Sequence, residues 1–241
     1  MAEGDVVLRS LLSRFSRYRP ESILVRAGRE GRIAELAGPA GAECPVYAAS
    51  LDVMSQVAGF PIHRGLLAIG LRGVEPAAAT LLPPMLRPSL VLGLVGLTNH
   101  DNVGACFRNA AAFGVDAAVL DRSSCDPLYR KALRVSVGTI LTLPFGRVAD
   151  GLGLVELLED AGYEVFGLSP AGHHAVTDVV WPRRAALLVG SEGNGLPAGV
   201  LERCRTVRID MAAGVDSLNV ATAAAVALHS ARTGLASRLA D

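Results

Sequence analysis

From residue 90 onward the sequence alternates short, continuously apolar runs with longer segments of helical period, and no other feature restricts the fold as strongly. Residues 90–97 are apolar throughout apart from their glycines, the profile of a strand covered on both faces in a parallel sheet. The pattern then predicts a helix over 103–113, a strand over 117–120, a helix over 127–135, a strand over 140–143 and a helix over 152–161. Strands over 164–168 and 185–189, a helix over 198–204, a strand over 206–209 and a long Ala-rich helix complete the chain. Such alternation predicts an α/β fold on a doubly wound parallel sheet. In these sheets ligands sit at the carboxyl ends of the strands.

The first 72 residues read as helix, strand, helix, strand, helix, strand. Val6, Val7, Leu8, Leu11, Leu12 and Phe15 form the apolar face of the first helix. Residues 1–73 are therefore expected to be a small α/β domain. Residues 74–89 contain Pro76, Pro83, Pro84 and Pro88, which forbid regular structure and mark a linker to a second domain over 90–241.

Net charge is zero over 241 residues, which argues against a generic polyanion binder. The distribution is uneven: Arg9, Arg14, Arg17, Arg19, Arg26, Arg29 and Arg32 crowd the first helix and its exit, against Glu21 and Glu30. Lys131 is the only lysine. Guanidinium groups suit phosphates and base stacking, and they also furnish ordinary solvated helix faces. No apolar run reaches the roughly 18 to 20 residues that span a bilayer, and Glu3, Asp5 and Arg9 occupy the place of a leader's apolar core. The expected compartment is the cytoplasm, with no membrane partner. Cys44, Cys106, Cys125 and Cys204 are scattered without a C-x-x-C pair, so neither a metal site nor a disulfide framework is expected.

Three loops between apolar strands carry polar residues. The first is Thr98-Asn99-His100-Asp101-Asn102-Val103-Gly104, with Arg108 six residues beyond Asn102. The second is Gly190-Ser191-Glu192-Gly193-Asn194-Gly195-Leu196-Pro197. Its glycines match neither the dinucleotide fingerprint nor the phosphate loop. The third runs from the strand over 206–209 through Ala212, Ala213 and Gly214 to Asp216-Ser217-Leu218-Asn219 at the start of the last helix. Ser217 and Asn219 place an acceptor and a donor where a helix has unpaired N–H groups. A plain Ser cap would read the same, and singly Glu192 and Arg108 fit a surface acid and a surface cation. Three polar loops at strand ends in one sheet point jointly to a ligand site. His173, His174 and Trp181 carry no assigned role.

The segments NHDNVGACFRNAAAFGV, LLVGSEGNGLP and RIDMAAGVDSLNVATAAAVAL, in this order, resemble the three motifs of the SpoU (TrmH-like) RNA ribose 2′-O-methyltransferases of the SPOUT class. The resemblance covers residues 90 to the end, including SCDPLYRKALRVSVGTILTLPF; the first domain is similar, more weakly, to that family's small RNA-binding domain. It implies a parallel-sheet SPOUT methyltransferase domain whose C-terminal segment threads a trefoil knot. It also implies S-adenosylmethionine as cofactor, structured RNA (tRNA or rRNA) as substrate, and a homodimer in which the first-motif Arg reaches the partner's cofactor pocket. Carried onto this chain, the cofactor is held by Leu168, Gly190, Glu192, Gly195, Ile209, Met211, Ser217 and Leu218, and the family's functional positions are Asn102, Arg108, Glu192, Ser217 and Asn219. Arg108 is expected to clamp the phosphate beside the target ribose rather than act as a base. Two positions depart from the pattern: Asp210 stands where Pro usually precedes the third-motif Met, and His100-Asp101 precede Asn102 without the usual Pro. A non-catalytic RNA- or cofactor-binding dimer and a nucleotide-dependent oxidoreductase are the competing readings.

Overall fold

The computed structural model describes residues 1–38 and 44–240. The elements are β1 (Ala2–Glu3), α1 (Asp5–Leu12), β2 (Arg19–Arg26), α2 (Gly31–Ala37), β3 (Val46–Ala49), α3 (Leu51–Ala58) and β4 (Leu66–Leu71). After these come β5 (Ser89–Leu94), α4 (His100–Ala112), β6 (Ala117–Asp121), α5 (Arg130–Val135), β7 (Phe145–Val148) and α6 (Gly151–Asp160). The chain continues with β8 (Glu164–Leu168), β9 (His174–Ala175), β10 (Arg184–Val189), α7 (Ala198–Arg203), β11 (Arg205–Arg208) and α8 (Val220–Ala240). Two compact units emerge: Met1–Glu75 with Pro127–Thr142, and Pro76–Asp126 with Leu143–Asp241.

The first unit is a four-stranded sheet in the order β1-β4-β2-β3, antiparallel except for the parallel β2–β3 pair. Met54, Ile62 and Leu67 form a small core with Leu24, Leu51 and Phe60 around it. Helix α1 buries Val7, Leu8 and Leu11, then stops at Leu12. Ser16 closes the following turn, its Oγ donating to the Tyr18 carbonyl and accepting from the Tyr18 N–H. Phe15, expected on the buried face of α1, is therefore 66% exposed. Residues 127–142, expected inside the second domain, pack here instead. Arg130 pairs with the buried Glu3 at 2.8 Å and lies 3.8 Å over the Phe60 ring.

The strand expected over 140–143 is a 3₁₀ turn, Thr139–Leu141. Gly138 has φ 83° and abuts Ser10, and its carbonyl accepts from Leu141 N, which curls the chain. Ile140 is fully buried, so its apolarity reports core packing rather than pairing. The Pro-rich stretch is no free linker either. It holds a 3₁₀ turn at Ala78–Leu81, and the Arg184 guanidinium donates to the carbonyls of Pro83, Pro84, Arg87 and Ala161. Proline lacks an N–H but keeps its acceptor, so one buried arginine can strap such a segment down. The same guanidinium stacks 4.1 Å over Tyr163.

The second unit is a seven-stranded sheet in the order β7-β6-β5-β10-β8-β11-β9, parallel at every pairing. Every residue of β5, β6 and β10 is buried, which explains their unbroken apolar runs. Val91, Val119, Ala186 and Leu188 pack on one face against Leu154, Val155 and Leu158 of α6 and Val200 of α7. Helices α4 and α8 pack together, with Asn109 Nδ2 donating to the Ala221 carbonyl at 2.8 Å. Trp181 is an interior residue, its ring tilted against Phe166 with centroids 4.6 Å apart and its Nε1 donating to Ser230 Oγ at 3.0 Å. His174 lies in the short edge strand β9 rather than in a loop. Burial pushes the Cys106 thiol up to about 12, leaving an inert core residue. No described helix is long and apolar enough to cross a membrane.

Candidate functional site

The carboxyl ends of β8, β10 and β11 open onto a cavity of about 530 Å³ in the second unit. Small-molecule sites commonly occupy about 300–1,000 Å³. Leu168, Gly190, Glu192, Gly195, Ile209, Met211, Ser217 and Leu218 all line it. Asn194 of the second loop lines it too, and Ser169, Leu201, Val220 and Ala223 do so without having been singled out in the sequence. Ser169 follows β8 directly, so the strand-end rule that flagged the other loops reaches it too.

The second loop owes its shape to glycine. A Cβ on Gly190 would lie 2.1 Å from the Gly195 carbonyl carbon, so the loop can fold back over this position only without a side chain. The fold-back is secured by Gly195 N donating to the Ser191 carbonyl at 3.0 Å. Glu192 is thereby carried, exposed, to the cavity wall.

Asn219 is the N-cap of α8, its Oδ1 accepting from Ala221 N at 3.0 Å and Thr222 N at 3.3 Å. Its Nδ2 donates to Asn102 Oδ1 at 2.9 Å and to Glu192 Oε1 at 3.0 Å. One amide thus joins all three polar loops. The orientation follows from chemistry: helix N–H groups only donate and a carboxylate only accepts, so neither end of Asn219 can be reversed. Asn102, buried at the start of α4, then uses its oxygen on Asn219 and keeps its own Nδ2 as a donor. Ser217 lines the cavity with no hydrogen-bond partner among the described residues.

Arg108 is not gathered with these groups. It stands exposed on α4, its side chain without a hydrogen bond or ion pair to any described residue. Asp210, the departure from the motif, accepts from Arg208 Nε at 2.8 Å, while Arg208 Nη1 donates to the Gly172 and His173 carbonyls. Arg208 thus fastens the exit of β11 to the loop after β8, with Asp210 as its ion-pair partner. The first loop has a brace of its own: Asp121 accepts from Gly96 N at 3.0 Å and from Ser123 and Ser124, and Ser124 Oγ accepts from Leu97 N at 3.0 Å. The sequence signal was the polar run Asp121-Arg122-Ser123-Ser124 at the end of an apolar strand, a fourth loop of the same kind. Among the described residues no cluster of His, Cys, Asp and Glu is arranged to hold a metal.

The cavity is walled by the segments that follow β8, β10 and β11 of a parallel α/β sheet, the place where domains of this class bind small molecules; the first polar loop is tied to it through the Asn102–Asn219 hydrogen bond. The chain belongs to the SpoU rRNA methylase family, whose model matches residues 89–229. It is 41% identical over 235 residues to an uncharacterized tRNA/rRNA methyltransferase of Mycobacterium bovis, covering 95% of this chain and 79% of that protein. The 23S rRNA (guanosine-2′-O-)-methyltransferase RlmB of Bordetella pertussis is 31% identical over 223 residues, covering 88% of this chain and 90% of RlmB. In fold the chain matches the SpoU methyltransferase AviRb of Streptomyces viridochromogenes in complex with AdoMet, with a TM-score of 0.78 at 23% identity over 98% of this chain and 89% of that one.

Proposed function

We propose that this protein transfers a methyl group from S-adenosylmethionine to a ribose 2′-hydroxyl of tRNA or rRNA. The observation that carries the reading is the hydrogen-bonded bridge in which Asn219 and Glu192, on the wall of the cavity, are joined to Asn102. The cavity fits the cofactor in size and in kind: Leu168, Ile209, Met211 and Leu218 offer apolar faces for an adenine ring, and the 190–195 backbone offers polar groups. When bound, the cofactor supplies an electrophilic methyl group on a sulfonium.

The chain's part is positioning, because a ribose hydroxyl is a poor nucleophile at neutral pH; as the O–C bond forms and the S–C bond breaks, the hydroxyl proton passes to solvent water. Asn102 Nδ2, left free by the bridge, donates to an oxygen at the reacting centre. Ser217 offers a hydroxyl to the same space. Arg108 clamps the phosphate next to the target ribose, since a guanidinium keeps its proton. Its exposure and lack of a partner suit a residue that acts on RNA at the cavity of a second copy, and we infer a homodimer in which it does so. The trefoil knot belongs to the same reading.

Labelled S-adenosylmethionine and total RNA from cells lacking this activity, followed by digestion and mass spectrometry of the nucleosides, test the reaction. A 2′-O-methylated nucleoside is expected; a methylated base refutes the ribose reading. Binding of S-adenosylhomocysteine without any labelled product would point to a non-catalytic dimer. Arg108→Ala is expected to abolish transfer while leaving S-adenosylhomocysteine affinity within about threefold, the division expected of a group that acts only beyond cofactor binding.

A further inference from the structure

The apolar pattern of α1 places Phe15 in the core, yet the helix stops three residues short and the ring stands 66% exposed. Such a ring at a protein surface calls for a reason. The turn that carries it is not loose: Ser13 Oγ donates to the Ser10 carbonyl, and Ser16 Oγ both donates to and accepts from the Tyr18 backbone. The Arg17 N–H is fixed to the Leu141 carbonyl at 2.9 Å. Phe15 is therefore held out on a rigid support.

Arginines surround it. Between Ser13 and Pro20 the sequence is SRFSRYRP, with Arg14, Arg17 and Arg19 and no acid. All three are exposed, and none forms an ion pair or a side-chain hydrogen bond with a described residue. The Arg14 guanidinium lies 4.7 Å from the Phe15 ring centroid. Arg19 stands opposite the half-exposed Leu71 across the β2–β4 pair, so the two share one face of the sheet. Two other arginines of this unit are paired with acids, Arg32 with Asp5 and Arg130 with Glu3. Unmatched cations around a rigid exposed ring fit a polyanion that also carries planar rings.

We propose that the Ser13–Arg19 turn is a stacking platform for an unpaired base of the RNA substrate. Phe15 receives the base, and Arg14, Arg17 and Arg19 bind the flanking phosphates. Stacking on an aromatic side chain needs a base free of its helix, so the turn selects single-stranded loops or bulges over continuous duplex. This rests on the methyltransferase reading and adds to it a determinant of which RNA is engaged, on a different unit from the cofactor cavity.

The probes are a fluorescein-labelled RNA hairpin with an unpaired loop and the same stem closed as a continuous duplex, titrated with the full chain. Phe15→Ala should weaken hairpin binding by about 5- to 150-fold, the range that corresponds to a base–aromatic stack of about 1–3 kcal/mol, and leave duplex binding unchanged. Phe15→Trp should restore the hairpin preference. The triple variant R14A/R17A/R19A should weaken both RNAs and make the log–log salt dependence shallower by about 2, at about 0.7 per phosphate contact. Stabilisation by S-adenosylhomocysteine should be unaltered in every variant, which shows that the second unit is intact. Phe15→Ala with the wild-type preference for the hairpin overturns the proposal, as does equal weakening on both RNAs. A Phe15→Ala chain that binds RNA normally but loses self-association marks the patch as an interface between copies and also overturns it. If wild-type protein methylates RNA while Phe15→Ala leaves KM for that RNA unchanged, the platform fails and the enzymatic reading stands; if wild-type protein neither binds nor methylates RNA, the enzymatic reading fails first.

Discussion

Asn219 shows how one side chain can serve a helix and a site together. Its oxygen is occupied by the first N–H groups of α8, and this forces its NH₂ toward Asn102 and Glu192. Asn219→Asp separates the two duties. A carboxylate still accepts from the helix, so the cap and the melting temperature are expected to survive. It cannot donate to Asn102, and it sets a second negative charge against Glu192, so kcat for methyl transfer should fall by about 10²–10³-fold. Asn219→Ala should in addition cost about 1 kcal/mol of stability through the lost cap. Equal loss of stability in both variants, read by thermal melting beside the kinetics, would reduce Asn219 to a cap. The wall residues of the second and third loops were legible in the sequence because each loop is contiguous and follows an apolar strand. The bridge was not, because its partners lie 117 and 27 residues from Asn219 and spacing alone does not bring them together.

At the level of elements, periodicity located the strands and helices well where burial is two-sided and failed where apolar residues serve something other than regular structure. Residues 140–143 are apolar because Ile140 fills the core of a 3₁₀ turn. Residues 76–89 are rich in proline, yet their carbonyls are held by Arg184, a residue about 100 positions away. Helices α1 and α2 are joined by a contact that only the fold reveals, Arg32 Nε to Asp5 Oδ1 at 2.6 Å. The hydrogen bond from Arg32 holds the Asp5 carboxyl below its ordinary value. A depressed folded-state value means that the stabilisation is present above the unfolded carboxylate value near about 4, and is lost as pH falls through the lower folded value. Arg32→Met should therefore lower the melting temperature slightly at neutral pH and flatten its decline below about pH 4. Parallel melting curves for wild type and variant across that range would show that the pair contributes nothing, as many exposed ion pairs do not.

For the whole molecule, the division at residues 73 and 90 remains our proposal for two functional domains, with the packing units drawn differently. Alternating helices and strands say which elements exist; they do not say which sheet a helix covers, and α5 sits in the first unit although its neighbours in sequence, β6 and β7, sit in the second. Residues 1–75 expressed alone are expected to lack a cooperative melting transition, because Glu3 is then buried without Arg130 and Phe60 loses its cover. Fusing residues 127–142 behind them through a flexible linker should restore the transition, as followed by circular dichroism. A sharp transition in the shorter piece would show that α5 is dispensable.

The same interleaving has a consequence for biosynthesis. A ribosome releases Met1–Glu75 first, then β5, α4 and β6 of the other unit, and only afterwards the α5 segment that completes the beginning. Nascent chains usually mature from the amino terminus, one module at a time. Here the earliest module must wait, incomplete, while the later one has already begun. An evolutionary exchange of RNA-recognition modules between relatives would likewise have to transplant two separate stretches of gene, which ties the history of the two units together.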